Sequence, residues 1–198
     1  MTKIRANLAV SLDGFAAGPN QSAENPFGEG VDGRLHRWMF EDADANAEEI
    51  AGHTSAKAYI MGRNMFGPGR GEWDLEWTGW WGPNPPYHAP VYVLTHYERE
   101  SVEMEGGTTY HFVTDGIESA LEQAKRAAGD GDVLIAGGAA TVNEYLAAGL
   151  LDELRLHVAP VVLGAGERIF DGVGPLKLER VSTRETKFVT HLTYRPVR

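Results

Sequence analysis

The chain has 198 residues, 42% of them hydrophobic and 23% charged, which is typical of one globular domain large enough to bury a core. Its formal net charge of −10 opposes non-specific binding to nucleic acid, and its lack of cysteine excludes disulfides and thiolate metal sites. No run approaches the roughly 18 apolar residues of a membrane span and no signal-peptide pattern is present, so we expect a single cytoplasmic domain over residues 1–198, without membrane contact.

The first predicted element is a buried strand over residues 4–12, which ends at the turn signal Asp13-Gly14. Residues 19–33 are rich in Gly, Pro, Asn and Ser, a composition typical of a surface loop that reaches toward a site. Two helices and a second apolar strand are predicted next, over residues 35–40, 43–53 and 56–61. This order of elements indicates the beginning of an α/β pattern.

A segment over residues 67–90 interrupts that pattern. It is rich in proline and contains Trp73, Trp77, Trp80 and Trp81, a composition that favours neither helix nor strand. We interpret it as a structured insertion that anchors itself by burying aromatic area. The alternative is that one of these indoles lines a binding pocket.

The alternation of strands and helices then resumes. Strands are predicted over residues 91–95 and 109–113, because both segments are short, apolar and rich in β-branched or aromatic residues. A helix is predicted over 116–128 with Asp115 as its N-cap. A further strand and helix are predicted across residues 132–146.

The C-terminal part of the chain is predicted to contain strands only. Residues 154–163 form a long β segment in which Pro160 indicates an edge or a bulge, and residues 176–182 and 188–195 form a closing antiparallel pair. The predicted fold class is therefore α/β with three layers: a mostly parallel central sheet between helices, with antiparallel strands added at the C-terminus.

Three of the predicted strand ends carry residues that suit a nucleotide. Gly137-Gly138 opens a helix whose first turn offers unpaired N–H groups to a pyrophosphate, or it is only a packing turn. Arg63, directly after Gly62, offers a forked pair of donors to a phosphate, or it lies on the surface. Thr95 and His96 suit the adenosine end of a dinucleotide, or they form a surface turn.

Other patterns that carry chemistry are absent from the sequence. The glycine pair comes too late for the G-x-G-x-x-G fingerprint of a first strand, and no G-x-x-x-x-G-K-S/T or G-x-S-x-G occurs. The seven histidines show neither H-x-H nor H-x-x-x-H spacing, so we expect no metal.

Taken in this order along the chain, the three strand ends resemble those of the dihydrofolate reductase fold, and within it the reductase domain of riboflavin biosynthesis, the RibD C-terminal domain. Five stretches carry the resemblance: AVSLDGF (9–15), YIMGRNMF (59–66), VYVLTH (91–96), VLIAGGAATVNEYL (133–146) and LLDELRLHVAPVVLGAGERIF (150–170). They span most of the chain outside the loop at 19–33 and the tryptophan-rich insertion.

The resemblance implies NADPH as the hydride donor. The residues that it assigns to the cofactor are Ala9 and Val10 beneath the nicotinamide, Gly62, Arg63 and Asn64 at the phosphates, Thr95 and His96 by the adenosine ribose, and Gly137, Gly138, Ala139, Ala140 and Thr141 at the pyrophosphate. Of these, Arg63 is best suited to the 2′-phosphate.

The resemblance also implies a substrate pocket beside the nicotinamide. It places Asp13, Trp38 and Gly166 there, and Asp13 either orients the substrate or donates a proton, or else only ends the first strand. The acid that serves the pterin in dihydrofolate reductase, a few positions before an aromatic resembling Trp38, has no clear counterpart, which argues against folate. The riboflavin reductase acts on a phosphorylated ribosyl substrate and usually accompanies a zinc deaminase, whose signature is absent here.

We therefore expect an NADPH-dependent reductase that acts on a small heterocyclic substrate of pteridine or pyrimidine type. Two alternatives stay open: a non-catalytic nucleotide sensor, and a reductase that holds a flavin or deazaflavin in the same groove. Relatives of this fold commonly dimerise through the region that corresponds to residues 154–163, so the resemblance also implies a homodimer.

Overall fold

The computed structural model describes residues 2–197, and over that range it shows a nine-stranded sheet whose central strands run parallel. In spatial order its strands are β10 (Leu178–Thr186), β11 (Val189–Pro196), β8 (Glu153–Val158), β1 (Ile4–Val10), β7 (Val133–Gly137), β3 (Ala58–Gly62), β4 (Pro90–Leu94), β6 (Thr109–Val113) and β5 (Val102–Glu103). Strands β8 and β11, β11 and β10, and β5 and β6 pair antiparallel. The predicted fold class is confirmed.

Helices and short turns connect these strands. The α-helices are α1 (Arg37–Glu41), α2 (Ala47–Gly52), α3 (Arg63–Phe66), α4 (Gly116–Ala128) and α5 (Ala139–Ala147), and single 3₁₀ turns lie at Arg34–His36, Asp44–Asn46 and Glu105–Gly107. A separate antiparallel pair joins β2 (Phe15–Ala17) to β9 (Glu167–Arg168). Within residues 2–197, no helix combines the length and the apolar character needed to cross a membrane.

The central strands are apolar because both faces of the sheet are covered. All seven residues of β1 are buried, as expected for a parallel strand between two layers. Successive side chains of β3 alternate between the layers: Ile60 packs with α4 and α5 on one face, and Tyr59 and Met61 pack on the other. Because of this alternation, a single apolar strand contributes side chains to the apolar clusters on both faces of the sheet.

The tryptophan-rich insertion covers the second face of the sheet where a helix would otherwise lie. Residues 67–89 contain no helix or strand, and Trp73, Trp77 and Trp81 pack against the cluster around Phe66 and Tyr110. The indole of Trp77 also donates a hydrogen bond to the carbonyl of Phe66 at 2.9 Å. The aromatic burial predicted from the sequence is therefore present, and in addition Trp80 and Trp81 line the groove described below.

The β segment predicted over residues 154–163 is shorter in the structure and lies in a different place. Strand β8 ends at Val158, before Pro160, and it is paired on one side with β1 and on the other with β11. The interpretation as an edge strand is therefore wrong, because Pro160 ends the strand instead of lying within it. The homodimer stays a prediction, and the backbone edges of β8 are already occupied within the chain.

Other element boundaries also differ from the predictions. The first strand ends at Val10, and Leu12 beyond it is 69% exposed. The helix predicted over residues 43–53 is split into the turn Asp44–Asn46 and α2. Asp115 does occupy the N-cap position of α4, but its side chain makes no capping hydrogen bond.

The pairing of β7, β3 and β4 brings the three nucleotide-type strand ends together. Met61 is in register with Gly137, and Gly62 is in register with Leu94. Because parallel strands end at the same edge of a sheet, the turns that follow them are neighbours. The contact is so close that a β-carbon added at Gly62 would overlap the hydroxyl of Thr141 in the first turn of α5.

This contact predicts that Gly62→Ala destabilises the protein by about 1–3 kcal/mol, the usual cost of overpacking. Urea denaturation measures the change in the free energy of unfolding. Gly69→Ala is the matched control, because nothing lies within 4 Å of its β-carbon position. Adding Thr141→Ala to Gly62→Ala should restore stability, and a double variant as unstable as Gly62→Ala alone would contradict the proposed clash.

Candidate functional site

A groove of about 1310 Å³ runs along the C-terminal ends of β1, β7, β3 and β4. Its volume exceeds the roughly 300–1,000 Å³ of a pocket for one drug-sized ligand, so it has room for two ligands side by side. We call the part lined by the ends of β7, β3 and β4 the cofactor end, and the part beside it the substrate end, after the ligands that the sequence predicts there. The substrate end is lined by Asn7, Leu8 and Ala9 of β1, by Ala16, Ala17 and Glu167 of the β2–β9 pair, and by side chains between Gln21 and Thr54.

The glycine pair after β7 forms an open corner of the cofactor end. Residues 137–141 all line the groove, and Gly138 is the N-cap of α5. The first N–H groups of a helix have no partner within it, and its N-terminus carries a partial positive charge. Gly137 has φ of 125°, the peptide bond to Gly138 is cis, and nothing lies within 4 Å of a β-carbon built at Gly138. This corner therefore has both the donors and the empty space that a pyrophosphate needs.

The corner after β3 carries a cation held by the insertion. Gly62, Arg63 and Asn64 line the groove, and the guanidinium of Arg63 lies 3.9 Å from the ring centre of Trp73. It donates hydrogen bonds to the carbonyls of Gly71 and, at 3.3 Å, Glu72. Burial lowers the pKa of Arg63. Its Nε is buried without a hydrogen-bond partner among the described residues.

The corner after β4 completes the cofactor end. Thr95, His96 and Tyr97 line the groove, and the backbone N–H of Tyr97 donates to the hydroxyl of Thr95 at 3.1 Å. Arg99, close by in sequence, instead donates to the carbonyls of Leu75 and Trp77 and does not line the groove. The three predicted corners thus meet in one groove.

The first strand lines the groove with three consecutive residues, Asn7, Leu8 and Ala9. Ala9 lines it, whereas the side chain of Val10 packs into the core with α4 and α5. Of the two residues predicted to run beneath the nicotinamide, Ala9 therefore lies on the groove and Val10 does not.

Asp13 is a loop anchor and does not line the groove. Its carboxylate accepts hydrogen bonds from the hydroxyl of Ser11 at 2.6 Å and from the backbone N–H groups of Leu163 and Gly164 at 3.1 and 2.8 Å. These bonds, that of Ser11 foremost, lower the pKa of Asp13 from 3.8 to about 2. Its engaged carboxylate and its place outside the groove favour the alternative in which Asp13 only ends the first strand.

Trp38 and Gly166 also lie outside the groove, which corrects their prediction as substrate contacts. Trp38 is fully buried and its indole N–H donates to the carbonyl of Leu35 at 3.1 Å. Gly166 has φ of 132°, and a β-carbon on it would overlap the carbonyl of Ala17, so it allows β2 and β9 to approach. The residues that line the groove are their neighbours in sequence, Met39 and Glu167.

Sequence reasoning missed several polar residues at the substrate end. His36, His53 and Asp44 line the groove, and none of the three was predicted to belong to the site. Burial lowers the pKa of His36 and of His53 from 6.5 to about 4. Both rings are therefore neutral at neutral pH. The one sequence signal for these residues is that several titratable side chains follow one another between the loop at 19–33 and β3.

Beneath the substrate end, a layer of imidazoles surrounds Trp38. The Nδ1 atoms of His157 and His191 are 2.8 Å apart, and Nε2 of His191 is 2.8 Å from the side-chain oxygen of Asn46. Since that amide oxygen can only accept, His191 donates from Nε2 and, as a neutral ring, accepts at Nδ1 from His157. Burial lowers the pKa of His157 to about 2, and that of His191 is lowered as well.

These buried rings do not form a metal centre. Among residues 2–197, no group of three or more His, Cys, Asp or Glu side chains is arranged to hold a metal ion. The rings of His157 and His191 instead lie 4.9 and 5.1 Å from Trp38, centre to centre. The layer is thus a neutral, packed support for the short helices that line the groove.

The buried histidines predict a stability that falls in mild acid. Their folded-state pKa values lie below the unfolded value of 6.5, so the unfolded chain binds more protons between pH 6.5 and about 4. The free energy of unfolding should therefore decrease as pH drops through this window, by at most about 1.4 kcal/mol per pH unit for each histidine. Urea denaturation at a series of pH values measures this slope.

Variants separate the histidine contribution from that of other groups. His53→Gln should reduce the slope between pH 6.5 and about 4, because it removes one of the buried rings. His96→Gln is the matched control, since its ring is exposed. Equal slopes in the wild type and in His53→Gln would show that the acid sensitivity arises elsewhere.

Comparison with known proteins connects this geometry to a family. The family model described as RibD C-terminal domain matches residues 2–192. The chain is also 28% identical over 193 residues to "Uncharacterized protein YyaP" of Bacillus subtilis (strain 168), with 92% of this chain and 88% of that protein covered.

Two solved structures share the fold. The "Putative riboflavin biosynthesis protein" of Shewanella sp. PV-4 matches with a TM-score of 0.67 at 21% identity, and both chains are covered in full. Dihydrofolate reductase from Enterococcus faecalis, solved with NADP(H) and RAB-propyl, matches with a TM-score of 0.58 at 17% identity, covering 98% of this chain and 96% of that one. The fold is therefore that of dihydrofolate reductase.

Proposed function

The chain belongs to the RibD C-terminal domain family, and from that premise we propose that it is an NADPH-dependent reductase. Its substrate would be a small heterocycle of pteridine or pyrimidine type, to which it transfers a hydride. The observation that carries the proposal is the meeting of three strand ends, two of them followed directly by helices, in one groove that can hold two ligands.

The charges of the groove support an anionic ligand at its cofactor end. Among the described residues, the Lys and Arg side chains that line the groove are Arg63 and Arg70, and both lie beside the corner after β3. Neither takes part in an ion pair within the described chain. An arginine whose partners are backbone carbonyls keeps its full charge for a phosphate.

The proposal gives the remaining cofactor residues definite roles. The N–H groups at the start of α5 would bind the pyrophosphate, Arg63 and Asn64 would bind the phosphate near the adenosine, and Thr95 and His96 would lie beside its ribose. Ala9 of β1 would lie beneath the nicotinamide, and its small side chain leaves space for a flat ring. The E. faecalis reductase that shares the fold was solved with NADP(H), which supports this choice of cofactor.

NADPH would supply the hydride, so the protein has to bind both ligands, align them and exclude water. The groove walls at the substrate end are mostly apolar, including Phe27, Met39 and Ile50. Asp13 lies outside the groove, so we do not assign it the role of proton donor. Among the described residues the carboxylates that line the groove are Asp44, Glu144 and Glu167, and of these Asp44 and Glu167 belong to the substrate end.

The assignment of Arg63 predicts a loss of discrimination between cofactors. Arg63→Ala should weaken NADPH binding by roughly tenfold or more, the effect of losing a hydrogen bond to a charged group, while NADH binding changes little. Tryptophan fluorescence titration with both nucleotides measures the ratio of the two dissociation constants. If the substitution displaced the insertion, the binding of both nucleotides would weaken. A change in the ratio of their dissociation constants therefore reports on the contact with the 2′-phosphate.

Arg70→Ala serves as the matched control for that experiment. Arg70 lines the same groove, but its guanidinium contacts the carbonyl of Pro68. If Arg70→Ala lowers the NADPH preference and Arg63→Ala does not, the phosphate role belongs to Arg70. If the wild type binds NADH as tightly as NADPH, the cofactor assignment is wrong.

The proposed pyrophosphate contact at Gly138 predicts a substitution that changes NADPH binding without changing the stability of the fold. Gly138→Val should abolish NADPH binding while the free energy of unfolding stays within about 0.5 kcal/mol of the wild type, because the added side chain enters open space. Gly69→Val, also in open space, is the control for both measurements. Lost stability with retained affinity would instead indicate a packing turn.

Turnover distinguishes a reductase from a nucleotide sensor. NADPH consumption, followed by its absorbance across dihydropterins, ribosylated pyrimidines and small ketones, should identify at least one substrate class. Binding of NADPH without consumption of any of these compounds would favour the sensor.

A further inference from the structure

We propose that the substrate end of the groove selects an uncharged planar heterocycle and rejects a phosphorylated or carboxylated one. This inference rests on the proposed reductase function and deepens it by naming the charge class of the substrate. It separates this chain from the riboflavin reductase that its sequence resembles, whose substrate carries a phosphate.

The charged side chains that line the substrate end are negative. Asp44, in the turn between α1 and α2, and Glu167, in β9 opposite Ala17, both line the groove and are both exposed. Among residues 2–197, no Lys or Arg lines this end, since Arg63 and Arg70 lie at the cofactor end. A phosphate bound here would meet like charges and no cation, an arrangement that disfavours binding.

The histidines of the substrate end do not change this balance. A protonated imidazole would be a partner for a phosphate, but burial holds the pKa of His36 and His53 at about 4. Both rings are neutral at physiological pH. They offer a hydrogen bond or an aromatic face without a positive charge.

The arginines on neighbouring segments are engaged elsewhere. Arg37 in α1 pairs with Glu41 at 2.8 Å, and Arg155 in β8 pairs with Glu153 at 2.7 Å. Arg34 lies near Asp32 at 3.7 Å, and Arg168 lies over the ring of Phe15. None of these four side chains lines the groove. The shortage of positive charge is therefore a property of the whole substrate end.

The apolar walls indicate what binds instead. Phe27 packs against His36 with ring centres 4.5 Å apart, and Met39, Phe40 and Ile50 complete the lining on the side of the short helices. Phe40 is 78% exposed, so its ring has a large apolar face free to cover a ligand. Flat apolar and aromatic surfaces bind a planar ring by stacking and dispersion, without a need for ligand charge.

The experiment compares ligands that share a ring and differ in charge. NADP⁺ is first titrated alone by tryptophan fluorescence, and failure of this step would count against the proposed function and not against the charge inference. The NADP⁺-loaded protein is then titrated with pterin and pterin-6-carboxylate, and separately with uridine and uridine 5′-monophosphate. We expect the uncharged member of each pair to bind at least tenfold more tightly.

Charge variants test whether the carboxylates cause the preference. Asp44→Asn should shrink the ratio of the two dissociation constants, and Asp44→Lys should shrink it further by improving binding of the phosphorylated pyrimidine. Glu48→Gln is the matched control, because Glu48 is exposed on α2 and does not line the groove. Added salt should also narrow the ratio in the wild type.

Three results would overturn the inference. Equal or tighter binding of the charged member in both pairs would show that the substrate end accepts anions. A ratio unchanged in Asp44→Lys would show that the carboxylate does not set the preference. Failure of both uncharged probes to bind the NADP⁺-loaded protein, with NADP⁺ itself bound, would contradict selection of this class of ring.

Discussion

The parallel pairing of β7, β3 and β4 is the constraint on which the site depends. Their register, with Met61 opposite Gly137 and Gly62 opposite Leu94, makes three separate turns end at one edge of the sheet. Close packing then decides which residues fit, because Gly62 and Thr141 leave no room for a β-carbon between their turns. The glycine corner at the start of α5 and the arginine-bearing corner after β3 become neighbours through the backbone hydrogen bonding of the sheet.

The tryptophan-rich insertion contacts both the apolar cluster on the second face of the sheet and the cofactor end of the groove. Its indoles pack on the sheet face around Phe66 and Tyr110, and its backbone carbonyls at Gly71 and Glu72 hold the guanidinium of Arg63. The packing of the indoles therefore positions the guanidinium of Arg63 without an ion pair, so that its positive charge is not neutralised. This arrangement keeps positive charge at one end of the groove, while Asp44 and Glu167 keep negative charge at the other.

The layer of imidazoles below the substrate end explains how polar residues can lie between the sheet and the short helices. His157, His191 and Asn46 are joined by a directed chain of hydrogen bonds in which the neutral ring of His191 accepts from His157 and donates to Asn46. Neutrality in turn requires burial, which costs stability when pH falls because the unfolded rings bind protons. The short helices that carry Met39 and Asp44 rest on this layer, so the shape of the substrate end depends on it.

Local sequence patterns were sufficient to predict much of the fold. Apolar runs such as β1 and β7, and the glycines that end β3 and β7, are determined by burial on both faces and by turn geometry, both of which the sequence encodes locally. The family resemblance then predicted a cofactor site at three strand ends, and the structure brings these strand ends together in one groove. What only the tertiary structure decided was the environment of each side chain: Asp13 is tied to the loop after β8, Trp38 is buried, and β8 lies inside the sheet. Hydrogen-bond partners, burial and charge neighbours come from distant segments of the chain, and no local pattern specifies them.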